Sequence, residues 1–536
     1  MSLRTRSRTT VSTVAIVAAT TLLLPTTLTA TADVSAPPAM HQVSAPKAKQ
    51  ALAVAEAVMS GQSDALSPTL ALRDLALHQS ALEGADRSAA EELLARPNEM
   101  SGSGDGFAAW GTHEAAASRN MEGCSADPST PICIHWTNVG THAPKQSDTD
   151  DDGVPNWVEV TLAEMEYTWT YETSTLNFRE PMTDERGSKD NDGKYFDVYL
   201  SNIGSRWYGY CATDDTHNAN NYDFKDRSGY CVLDDDYSSQ QFPFHTPREN
   251  LQVTAAHEFF HAVQFAYDAS EDAWFMEGAA AWIEDEVYDD VNDNRQYLAI
   301  SQFRHPRRPL DSNQGLGVYG TWGFFRYLSD RFGTDVLLRA WQRADGSDGG
   351  PDDYSLVALR RAVQSQGADF DNVLGDFGMA LAEPELYITE GDRFPKASVD
   401  TFTLGRKHDS TKWQRYTLDH LSFAPVVMRP GRRLRDADKV RISVDAPGRV
   451  KHPEARVMVV RDNGSFGPLR SVHLNRRGNG AITVDFGNRS VRRMILALGN
   501  TSTEFRRCFS HTTRYSCKGG IPLDENQKYW FKAVIR

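Results

Sequence analysis

Between Thr246 and Asp268 the sequence TPRENLQVTAAHEFFHAVQFAYD is apolar on almost every side of the helix it would form, and this limits the fold more than any other stretch. Thr246-Pro247-Arg248-Glu249 is a capping-box pattern with proline at the first helical position, so a helix is expected from Pro247 to Asp268. Val253, Ala256, Phe259, Phe260, Val263 and Phe265 surround it, which places such a helix at the centre of a core. Yet His257, Glu258 and His261 lie within it. Burying two imidazoles and a carboxylate costs free energy unless something pairs with them. The histidines are four residues apart, so both project from one face and can reach one metal ion, with Glu258 beside that face. A core helix with two satisfied histidines is the plainer alternative.

Tetrahedral zinc takes three protein ligands and leaves a fourth position open to water, whose proton Glu258 would accept. The third ligand is expected from the next helix, DAWFMEGAAAWIEDEVYDD, where Glu277 follows His261 by sixteen residues. Gly278, Ala279, Ala280 and Ala281 are small and would let this helix approach the first closely. Glu284, about two turns beyond Glu277 on the same face, is placed to support a ligand. Asp285, Glu286, Asp289 and Asp290 compete for the ligand role, with a solvated helix end or another calcium site as the alternatives.

A second cation site is written into Asp148-Thr149-Asp150-Asp151-Asp152-Gly153-Val154-Pro155-Asn156-Trp157-Val158-Glu159. Asp148, Asp150, Asp152, Val154, Asn156 and Glu159 stand at the ligand positions of an EF-hand calcium loop, with Gly153 at its turn. Aspartates this dense repel one another without a cation, and a solvated acidic loop is the alternative. Asp190, Asp192 and Asp234-Asp235-Asp236 are vaguer calcium candidates. The expected cofactors are therefore zinc and calcium.

The start of the chain bears on where such a site would work. Arg4, Arg6 and Arg8 precede an apolar stretch from Val11 to Leu28 and then Ala30-Thr31-Ala32, so residues 1–32 read as a signal peptide for secretion. The apolar run is shorter than a bilayer span and broken by Pro25, which argues against stable membrane insertion. Removing it takes away three arginines and moves the formal charge from −15 to −18, which argues against a nucleic-acid partner. Six cysteines fall as close pairs, Cys124 with Cys133, Cys211 with Cys231 and Cys508 with Cys517, and read as three local disulfides of an extracellular protein.

The organisation expected is α+β. Residues 33–105 are a helical N-terminal region, either a propeptide covering the cleft or an ordinary helical subdomain. Residues 106–395 mix strand-like runs (CIHWTNV, YFDVYLSNI, GYCVLDDDY) with helices and hold the chemistry. From 396 to 536 short alternating runs such as KVRISVDA, ARVMVVRD and VRRMILALG, separated by turns, suggest a β-sandwich.

HEFFHAVQFAYD, WFMEGAAAW and VYGTWGFFRYL resemble the secreted metallopeptidases of the gluzincin type, over about His135 to Tyr327. The resemblance implies zinc ligands at His257, His261 and Glu277, a general base at Glu258, and Tyr319 as an oxyanion stabiliser opening a helix. Trp322 departs from the tyrosine's usual setting, and Ala281 stands where an acidic residue often supports the ligands. It also implies an edge strand that pairs with extended substrate, for which GYCVLDDDY is the candidate. The function expected is hydrolysis of peptide bonds in a protein or peptide substrate. The alternatives are a calcium-stabilised protein binding a cell surface or polysaccharide, with contact through the C-terminal domain, and a zinc hydrolase of another bond.

Overall fold

The computed structural model describes residues 44–63, 66–99, 120–183, 194–213, 225–313 and 315–536. The expected signal peptide, the 105/106 boundary, Asp190 and Asp192 lie outside these residues. From Val43 onward the chain packs as one unit.

Three short helices come first, α1 (Ala45–Met59), α2 (Pro68–His78) and α3 (Gly84–Leu93). A five-stranded sheet follows, built from β1 (Asn120–Cys124), β2 (Ile132–Thr137), β3 (Phe196–Leu200), β4 (Gly209–Ala212) and β5 (Tyr230–Leu233). Its order is β1-β2-β3-β5-β4, with β2, β3 and β5 parallel and an antiparallel strand at each edge. The expected edge strand is thus corrected. GYCVLDDDY forms β5, which is interior, and the edge nearest the site is β4.

Period-two alternation sends the sheet's side chains to two buried faces. Val198, Leu200, Cys211, Cys231 and Leu233 point toward α4 (Asn156–Trp169) and α5 (Pro247–Asp268). Tyr199, Tyr210, Ala212, Tyr230 and Val232 point the other way, onto Leu52, Val58, Leu72 and Leu75 of the N-terminal helices. Arg96 is fully buried there, 2.6 Å from Asp197, which also accepts from His135 at 2.8 Å. The three cysteine pairs are joined as expected: Cys124 to Cys133, Cys211 to Cys231, and Cys508 to Cys517.

Helix α5 begins at the expected place, with Thr246 and Glu249 exchanging both capping-box hydrogen bonds, and every residue from Val253 to Asp268 is buried. It packs beside α6 (Ala273–Val287), followed by α7 (Trp322–Phe332), α8 (Asp335–Ala344), α9 (Ser355–Ser365) and α10 (Phe370–Ala380). Among the described residues no helix is long and apolar enough to cross a membrane.

The remaining strands are β6 (Asp400–Leu404), β7 (Gln414–Leu418), β8 (Ser422–Pro430), β9 (Lys439–Asp445), β10 (Pro453–Arg461) and β11 (Arg470–Ser471). They continue as β12 (Asn479–Asp485), β13 (Val491–Asn500), β14 (Phe505–Arg506), β15 (Ile521–Pro522) and β16 (Gln527–Ile535). Two sheets, β11-β10-β13-β8-β6 and β12-β9-β16-β7, face each other across a core that includes Val426, Val457, Leu496, Ile442 and Phe531. The outer face of the first sheet carries Val427, Met458 and Ile495 against Met379 of α10.

Two polar joints tie this β-rich half to the helices that hold the site. Asp272, at the N-terminus of α6, accepts the backbone N–H groups of Cys517 and Lys518 at 2.9 Å each. His420 is buried between Asp311, at 2.9 Å, and Glu525. Burial opposes its charge, but the two carboxylates prevail and raise its pKa from 6.5 to about 9. The joint's contribution to stability is therefore complete below pH 6.5, declines above it, and is gone once pH passes about 9; a shift of this size is worth up to about 3 kcal/mol. The melting temperature of the full chain, less that of His420→Gln, should fall between pH 6.5 and 9.5; a difference flat across that range would show that the joint does not titrate.

Candidate metal centre

The four-residue spacing of His257 and His261 brings their Nε2 atoms to 3.2 Å from each other on α5. Glu277, reaching across from α6, places Oε2 3.3 Å from the first Nε2 and 3.6 Å from the second. All three residues are buried, and their ligand atoms form one cluster. Ligand atoms about 2.0 to 2.1 Å from a tetrahedral zinc stand about 3.3 Å apart, so the triangle has the right size.

The tautomers follow from the neighbours. His257 donates its Nδ1–H to Glu284 Oε1 at 2.6 Å, and His261 Nδ1 lies 2.8 Å from Gln264 Oε1. Gln264 gives its own Nε2–H to the Met276 carbonyl at 2.9 Å, which leaves Oε1 as the atom facing His261. Both Nε2 lone pairs therefore point at each other and at a carboxylate oxygen. Three electron-pair donors this close repel unless a cation or a shared proton lies among them.

Glu284 thus supports His257 directly, three positions beyond Ala281, where the resemblance looked for an acidic residue. The competing carboxylates lie away from the histidines: Asp285 and Glu286 pair with Arg326, Asp289 and Asp290 are exposed beyond the end of α6, and Asp285 and Asp289 gather their carboxylates with that of Glu390. The reason offered for the small residues is partly corrected. A Cβ on Gly278 would lie 2.1 Å from Thr321 Oγ1 and 2.6 Å from Phe325, so that glycine admits the segment leading into α7, not α5.

Glu258 lines the same cleft, of about 230 Å³, together with His257, His261, Glu284, Tyr297 and Tyr319. Burial pushes its carboxyl above the ordinary range, against the pull of His257 and His261. Gly209, at the start of β4, lies so near that an added Cβ would meet Glu258 Cγ at 3.0 Å and Thr254 Cγ2 at 2.8 Å. Tyr319 precedes α7, in a 3-10 turn from Gly315 to Thr321, so it does not open the helix as expected. Its ring sits 5.7 Å from that of His257 and stacks on Tyr297 at 4.8 Å. Trp322 is a buried residue at the start of α7.

The acidic loop has the local geometry of its motif. Asp148, Asp150 and Asp152 bring their carboxylates together, and Gly153 takes φ +91° where the turn is tightest. Asp148 accepts the N–H groups of Asp151 and Gly153 at 2.9 Å, Asp152 accepts that of Val154 at 2.8 Å, and Asn156 accepts that of Thr149 at 2.9 Å. Desolvation raises the Glu159 carboxyl in the first turn of α4, and the charges of Asp150, Asp152 and Asp148 raise it further. Asp234, Asp235 and Asp236 also gather their carboxylates, at the end of β5.

Three contributors were not anticipated from sequence. Gln264 had a visible signal, since it lies three residues beyond His261 on the same helix face. Ser67 and Thr69 had none. Ser67 donates to Glu277 Oε1, and Thr69 donates to Glu258 Oε2 at 3.0 Å, from α2 nearly two hundred residues upstream.

No family profile matches the sequence, and no curated protein matches it. Among solved structures, the periplasmic lysozyme inhibitor PliG of Aeromonas hydrophila aligns at 10% identity over 26% of this chain and 100% of its own, with a TM-score of 0.15. The surface-associated copper-binding protein CorA of Methylomicrobium album BG8 aligns at 11% identity over 26% of this chain and 99% of its own, also at 0.15. A 4-O-methyl-alpha-glucuronidase with specificity for decorated arabinogalactans gives 8% identity over 68% of this chain and 54% of its own, at 0.14. Likenesses this slight carry no argument about the site.

Replacing Gln264 by leucine removes the group that orients His261 and should lower zinc affinity about 10- to 100-fold, read by competition with a chromophoric chelator. Unchanged affinity would mean that His261 is not a ligand or needs no such orientation.

Proposed function

We propose that this chain is an exported zinc-dependent peptidase of the gluzincin type. The observation that carries the reading is the buried triangle of His257, His261 and Glu277, with both imidazole Nε2 lone pairs aimed into it. Zinc bound there would act as a Lewis acid and lower the pKa of a water ligand to about 7. Glu258 shares the cleft and, with its carboxyl raised toward the working range, is suited to take a proton from the nucleophile and return it to the leaving amine. Tyr319 is the group whose hydroxyl would donate to the oxyanion of the attacked carbonyl. The outward N–H of Cys211 on edge strand β4 would bind the backbone of an extended peptide. Export is supported by the signal-like start and by three disulfides, which persist in oxidising compartments.

The test compares the purified chain with Glu258→Gln for bound zinc and for casein hydrolysis. Near-stoichiometric zinc is expected in both, with hydrolysis lowered at least 100-fold in the variant. A variant that keeps zinc and cleaves at the parent rate would remove Glu258 from the chemistry; zinc in both forms and cleavage by neither, even once residues 33–105 are removed, would remove the peptidase reading.

The Asp148–Glu159 loop is proposed to hold calcium in a stabilising role. At 100 times its dissociation constant, calcium should add about 2.7 kcal/mol to unfolding stability, and Asp148→Ala should abolish that gain. Equal melting temperatures with calcium and with chelator would exclude the site.

A further inference from the structure

The groups proposed to bind and cleave peptide are already engaged by the chain's own residues 67–69. Ser67 is the N-cap of α2 and accepts the Leu70 N–H at 3.1 Å. Its hydroxyl hydrogen goes to Glu277. Two positions on, Thr69 donates to Glu258 at 3.0 Å and accepts the Cys211 N–H at 3.0 Å. Each hydroxyl thus donates to an ionisable group of the site while accepting one backbone N–H. The proposed third ligand, the general base and the edge-strand N–H are all bonded by two side chains of a single turn.

Packing holds that turn in place. Pro68, Thr69 and Leu70 are buried. The Arg73 guanidinium, one turn further, donates to the carbonyls of Ala269 at 3.1 Å and Glu271 at 3.0 Å, between α5 and α6. A helix needed only to cover the sheet would bring apolar side chains to this contact, as α1 and the rest of α2 do against Tyr199 and Tyr210. Here two hydroxyls aimed at ionisable groups of the site stand where apolar side chains would have sufficed.

We propose that residues 44–99 are a built-in inhibitor of the site, and that the Ser67-Pro68-Thr69 turn must leave the cleft before a peptide can enter. This rests on the peptidase reading for what is inhibited, but occlusion can be measured without catalysis. The probe is a fluorescent peptide hydroxamate, which chelates zinc, titrated into zinc-loaded full-length protein. Two variants loosen the turn: Ser67→Ala with Thr69→Val, which keeps its shape and removes its bonds, and Arg73→Ala, which weakens its anchor from outside the cleft.

Both variants should bind the probe at least tenfold more tightly than the parent and cleave casein correspondingly faster; should the first fail to fold, the second carries the test. Equal probe affinity in parent and variants would overturn the proposal. Tighter probe binding with no casein cleavage in any form would leave the occlusion standing and remove the peptidase reading.

Discussion

Everything about the site depends on helices α5 and α6 lying close enough for a glutamate on one to meet two histidines on the other. That approach buries charge, and it is held by bonds that cross the helix pair rather than by hydrophobic contact alone. Gln264 grips the Met276 carbonyl while orienting His261, and His257 grips Glu284. Each crossing bond joins the helices and also settles which imidazole nitrogen is free. Placement of the proposed ligands and the choice of their free nitrogen are thus set by the same side chains.

The sheet and the N-terminal helices supply the boundary conditions. Because both sheet faces are buried, β4 is fixed between α5 on one side and α1 to α3 on the other, and Cys211 on β4 is bonded to Cys231 on β5. Gly209 faces Glu258 in consequence, at a distance that leaves no room for a larger residue on β4.

Much of this was legible in the sequence, for identifiable reasons. Local signals translated directly: the capping box started α5 where expected, the i, i+4 histidines met, the three cysteine pairs closed, and the acidic loop turned at Gly153. What depends on strand order did not translate. Nothing in GYCVLDDDY reveals that another strand pairs along its outer side, because a strand that is buried on both faces reads alike whether it is interior or at an edge. The glycine of α6 was read as spacing for the nearest helix in sequence, whereas its neighbours Thr321 and Phe325 come from more than forty residues downstream. Ser67 and Thr69 are ordinary helix-start residues by pattern, and only the tertiary fold gives them partners.

The grip of Asp272 on Cys517 and Lys518 links the site to the order of synthesis. The helix that carries Glu277 has its first turn fastened by a segment made 245 residues later. A chain emerging from the ribosome or crossing a membrane N-terminus first would present α1 to α3 and the sheet long before that fastening exists. The candidate metal centre is thus among the last parts of the molecule to gain all its supports, and a chain cut short before Cys517 would carry every proposed ligand without the clasp on the helix that bears one of them.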